Sequence, residues 1–196
     1  MTDFSNSGKR ILNLVQKAQQ QQNDISTAEA WANVLGLDSK IAKSDPHEVN
    51  QQLVLIRHEL DLLEQTMRDT GFSDVLYSPY IRKVRVTVTP NNISASWSSY
   101  KTQLNGETVL ALRYCAEILE DEPTANFEEL ESLLSKLSEF KAHLDTSSMN
   151  GATYQFVISQ IGIMEMAIRN YPIAGGAAIR KAFSEGFADL NAKAVK

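Results

Sequence analysis

The side chains best suited to chemistry in this chain are scattered. His47, His58 and His143 lie on three separate segments. His58-Glu59 would open a zinc-protease helix only if a second histidine followed one turn later on the same face, and position 62 is Leu. With a single cysteine in the chain, a metal site would have to be assembled from distant carboxylates. Acidic clusters stand at Glu117, Glu120, Asp121, Glu122 and at Glu128, Glu129, Glu131. Paired carboxylates do acid and base work when burial drives their pKa values apart. These crowd helix ends and outward faces, where they complement a helix dipole, so they read as solvated surface. There is no Gly-x-Ser-x-Gly elbow, nor the arginine followed about four to six residues later by histidine of helical ribonuclease toxins. Gly175-Gly176, with Arg180 and Lys181 close behind, has the form of a phosphate-receiving helix start, but a turn after Pro172 with small residues for close packing explains it more simply. No catalytic, cofactor-binding or metal-binding residue is assigned, and the reading leans against an enzyme.

One patterned feature remains. No acidic residue occurs between Asp74 and Glu107, while Arg82, Lys83, Arg85 and Lys101 fall there beside Tyr77, Tyr80, Trp97 and Tyr100. Cations next to aromatic rings suit stacking with phosphate contact, and equally suit an acidic protein partner. Core aromatics with merely solvated cations would give the same string. The candidate partner-binding residues are Arg82, Lys83, Arg85, Trp97, Tyr100 and Lys101.

The rest of the chain must position them. Its 196 residues are 43% hydrophobic and 22% charged, enough apolar content to bury a core and too much for disorder. The net charge of -5 opposes whole-molecule attraction to nucleic acid or anionic membrane, though a local patch can override it. No apolar run approaches the ~20 residues of a membrane-spanning helix and the amino terminus has no apolar signal region, so a cytoplasmic protein is expected. Cys115, in frame with Leu112, Ile118 and Leu119, reads as a buried small hydrophobe in a reducing compartment.

Helical periodicity dominates. Val49, Leu53, Ile56, Leu60, Leu63 and Met67 recur at alternating steps of four and three, after Asp45-Pro46-His47-Glu48 and before Gly71. Asp45 is expected to cap this helix in a box with Glu48. The stripe alone would suit a two-stranded coil; a second apolar line, Leu55 and Leu62 flanked by Val54, favours a central place in a bundle. Upstream, a helix from Ser7 carries Ile11, Leu12, Val15 and Ala18, and a second, capped by Ser26 or Thr27 and ended by Gly36, carries Trp31, Val34 and Leu35. Downstream, helices are expected over 105–120, 126–144, 151–170 and from Gly176, the last presenting Ile179, Ala182, Phe183, Phe187 and Leu190. Between 80 and 100, Val84, Val86 and Val88 alternate with polar residues ahead of Pro90-Asn91-Asn92, a strand-and-turn pattern that predicts either a short β-hairpin or a helical turn with an extended segment.

The runs Asp45–Val49, Trp97–Lys101, Val109–Glu117 and Ala167–Gly175, in that order, resemble a recurring family of uncharacterised bacterial helical proteins, over most of the chain from Trp31 onward. The resemblance carries no catalytic residues; it implies a bacterial cytoplasmic helical protein from a mobile-element, defence or toxin-neutralising cassette. The expectation is therefore an all-α, single-domain bundle of six or seven helices with an irregular or hairpin insertion, residues 1–44 forming a helical appendage and 45–196 the bundle core. Its expected role is non-enzymatic: an accessory, adaptor or immunity-type protein that binds another protein, with homo-oligomerisation open. Nucleic-acid binding through 77–101 is the alternative, and an enzyme with a dispersed site the third.

Overall fold

The computed structural model describes residues 4–123, 125–145 and 150–194, the side chains of 145 and 185–194 excepted. Among the described residues the protein is all-helical: α1 (Ser7–Gln19), α2 (Thr27–Leu35), α3 (Ser39–Ser44), α4 (His47–Asp69), α5 (Ser78–Thr87), α6 (Ser98–Lys101), α7 (Gly106–Ile118), α8 (Phe127–Asp145), α9 (Gly151–Arg169) and α10 (Tyr171–Ala194), with 3-10 turns at Asp74–Leu76 and Pro90–Asn92. Ten helices among the described residues replace the expected six or seven, because α3 and α6 are too short to show a sustained period and the alternating valines of α5 mimic a strand. No helix among the described residues is long and apolar enough to cross a membrane.

The hairpin is not formed. Tyr77, Ile81, Val84 and Val88 repeat at helical steps and are all buried, whereas Val86 points outward. That spacing, with Pro79 in the first turn where its missing N–H is harmless, overrides the two-residue alternation of the valines. Among the described residues the strand-like pairing here is one antiparallel bridge between Ser26 and Ser96. There the Thr27 N–H donates to Ala95 O at 2.8 Å and the Trp97 N–H to Ile25 O at 2.9 Å.

The chain divides into two compact units, Met1–Asp121 and Glu122–Lys196. In the first, the whole α4 stripe is buried, but of the second line Leu62 is exposed and Leu55 only partly buried, and the flanking Val54 is exposed. The expected capping box at the start of α4 is absent. Pro46 occupies the cap position, and the Asp45 carboxylate accepts the His47 N–H at 3.1 Å instead. The Ser26–Glu29 box of α2 does form, and Gly36 ends that helix at φ +72°, a left-handed conformation that glycine adopts without strain. Helix α1 packs on α7 and α4. At its start a β-carbon on Gly8 would lie 2.7 Å from the Ala116 N and 2.8 Å from its Cα, so the two backbones approach as closely as glycine permits.

Asn6 joins the same two helices. Its side-chain oxygen accepts the Lys9 N–H, capping α1, while its amide donates to Ala116 O at 3.0 Å and Leu119 O at 3.1 Å at the end of α7. Asp121, in a cluster expected to be free surface, accepts from Ser5 Oγ at 2.6 Å and from Lys9 Nζ at 2.7 Å. Arg10 and Glu59, both buried, form an ion pair of 2.7 Å that ties α1 to α4.

The second unit gathers on Leu130, Ile168 and Tyr171, with Leu134, Leu137 and Ile179 partly buried against them. The Tyr171 hydroxyl accepts the Ala125 N–H at 2.8 Å, and its ring meets Phe127 edge-on at 5.8 Å. Helix α10 kinks at Gly175 (φ +57°), so its continuous part begins at Gly176 as the sequence predicts. The side chains of Phe187 and Leu190 lie outside the described residues.

Candidate functional site

The six candidate residues do not share one face. Trp97 is 0% exposed and meets Trp31 edge-on at 5.9 Å, filling the core beneath the Ser26–Ser96 bridge. The Trp31 indole donates to Thr87 O at 2.8 Å; the buried Trp97 Nε1 has no partner among the described residues. Arg85 is held by acids of α4, at 2.8 Å from Asp61 and 2.9 Å from Glu64. Lys101 donates to Gln21 O at 2.6 Å, and Tyr100 is half-buried. Arg82 is exposed; its one polar contact within the described residues is Ser78 Oγ at 3.5 Å. A base cannot stack on Trp97 without opening the core, and Arg85 is already paired with two carboxylates.

Lys83 is different. Its ammonium sits 4.8 Å from the centroid of the Tyr80 ring and 3.8 Å from Glu107 Oε2, at the lip of a groove between the 72–80 segment and α7. The groove encloses about 400 Å³. One wall is Phe72, Leu76 and Tyr80; the other is Leu110, Ala111 and Tyr114, with Glu107 beside them. Helix periodicity builds both walls. On α5, the buried line through Ile81 and Val84 turns Tyr80 and Lys83 toward α7. On α7, capped by Asn105 through the Thr108 N–H at 3.0 Å, the inward line is Thr108, Ala111, Leu112 and Cys115, which leaves Leu110 and Tyr114 on the outward side.

Leu76, Leu110 and Tyr114 are 52%, 50% and 54% exposed around this groove. Apolar side chains left open together mark an interaction surface more than scattered ones do. The sequence analysis singled out neither Leu110 nor Tyr114, because the period of α7 marks its buried line and says nothing of apolar residues that fall off it. The other chemical candidates stay apart. The three histidines are exposed, and among the described residues no three His, Cys, Asp or Glu side chains converge as metal ligands would. Cys115 is 1% exposed and burial pushes its thiol up to about 12, which suppresses the reactive thiolate. Arg180 folds back on Gly176, its guanidinium 3.0 Å from where a β-carbon would stand.

Compared with known proteins, the chain matches no family model, no curated protein and no solved structure, so the groove is interpreted from its own geometry.

Proposed function

We propose that this is a non-enzymatic protein-binding protein, of the bacterial accessory, adaptor or immunity type, and that the groove between residues 72–80 and α7 is its docking surface. The observation that carries this reading is the set of half-exposed apolar side chains, Leu76, Leu110 and Tyr114, collected around one concave site with Lys83 and Glu107 at its edge. Interfaces place aromatic and aliphatic anchors in such pockets and charged groups on the rim. Nucleic-acid binding has less support, because Trp97 is core and Arg85 and Lys101 are engaged.

A photo-crosslinking amino acid at position 110 or 114, introduced into the protein in its own host, should capture a discrete protein. The same group at the exposed Ile41 should not. Equal labelling from all three positions would remove the groove from consideration, and crosslinks chiefly to nucleic acid would restore the alternative.

A further inference from the structure

Resting on that assignment of the groove, we infer that its occupant is a segment of another protein in which a lysine or arginine adjoins apolar residues, the cation meeting Glu107 and Tyr80 while the apolar side chains enter between Leu76, Leu110 and Tyr114. The structure already contains a cation in that place. Lys83 reaches over the Tyr80 ring at 4.8 Å and toward Glu107 at 3.8 Å. An aromatic face and a carboxylate together attract an ammonium or guanidinium.

The Lys83 contact is replaceable. At that separation, with the Glu107 side chain 72% exposed, an ion pair contributes little, and most of the carboxylate remains open to a second cation. An acidic occupant would instead have to bring its charge against Glu107. The whole chain, at -5, also steers basic partners toward it and acidic ones away. From Glu107 to Tyr114 the α7 wall runs about 10 Å at the helical rise, room for two turns of a partner helix. Such an occupant presents apolar residues at i and i+4, and its cation beside the first of them.

The full-length protein is used to select binders from a displayed library of random twelve-residue peptides, and the best peptide is then synthesised and titrated. Selected peptides should pair Lys or Arg with Leu, Phe or Met. Glu107→Gln should weaken the best peptide about fivefold to tenfold, and Lys83→Met, by removing the internal competitor, should strengthen it. Leu110→Asp with Tyr114→Asp should abolish binding. All three are changes at the surface, and unchanged thermal unfolding of each separates lost binding from lost folding.

Acidic or purely apolar selected peptides would overturn the basic-partner inference. So would affinity indifferent to Glu107→Gln, or weakened by Lys83→Met. If the Leu110/Tyr114 variant still loses such peptides, the groove survives as the docking surface. Peptides that bind the Leu110/Tyr114 variant normally, or no enrichment over bare support, would overturn both.

Discussion

Both sides of α7 carry large apolar side chains, and these meet opposite fates. On the inner side Leu112 and Cys115 are each 1% exposed, and Ala116 is pressed against Gly8 so tightly that a β-carbon would collide with backbone. On the outer side, two residues from Leu112, Leu110 is half open, as is Tyr114 one turn further. Hydropathy alone does not distinguish them. The difference lies in whether another element comes to cover the residue, and among the described residues of the first unit none covers Leu110 or Tyr114 fully. An apolar side chain that the fold leaves wet contributes little to stability and is free to serve recognition.

Substitutions on the two sides should therefore diverge, most strongly at Leu112. Leu112→Ala leaves a cavity in a packed interior and should cost about 2–5 kcal/mol in denaturant unfolding. A cost near zero would mean that the inner side is not core. Gly8→Ala should come next, about 1–3 kcal/mol, because the added methyl meets the Ala116 backbone at 2.7 Å and the helices must part. Unchanged stability there would show that α1 and α7 yield without penalty.

A smaller effect, of about 1 kcal/mol, is expected from Glu29→Ala, which breaks the capping box of α2. The Ser26 backbone N–H and then its hydroxyl hold the Glu29 carboxyl below the usual glutamate range. A group with a depressed folded pKa contributes stability above its unfolded value and loses it as the pH falls through the folded one. Wild type and Glu29→Ala should accordingly differ at neutral pH and converge in acid; a constant gap down to low pH would contradict the cap. Smallest of all is Leu110→Ala, within about 0.5 kcal/mol of wild type, since half of its surface is already hydrated.

Much of this fold was legible in the chain. The α4 stripe, the Ser26–Gly36 boundaries of α2, the Asn105 start of α7 and the restart of helix at Gly176 all follow from periods and caps that act within a turn or two. The α5 segment was not, because three valines at every second position satisfy a strand pattern locally, and only packing of Ile81 and Val84 against other helices decides for the helix. Long-range pairings were also hidden. Nothing in Gly8 or Asn6 announces Ala116 as a neighbour, and nothing in Arg10 announces Glu59.

The candidate site was half legible. The acid-free stretch drew attention to Lys83, which does stand at the groove. It also drew in Trp97, whose type suits both stacking and core, and Arg85, whose partners on α4 lie more than twenty residues away in the chain. Leu110 and Tyr114 went unseen because a helix with apolar residues on both sides gives no sign of which side its neighbours will leave uncovered.

The claim that the outer side of α7 is kept for a partner is tested most directly by the double variant Leu110→Asp, Tyr114→Asp, measured for melting temperature and partner capture in parallel. The account predicts a melting temperature close to wild type and loss of the partner that crosslinks at these positions. A melting temperature that falls as far as that of Leu112→Ala, or undiminished capture by a stable variant, would contradict it.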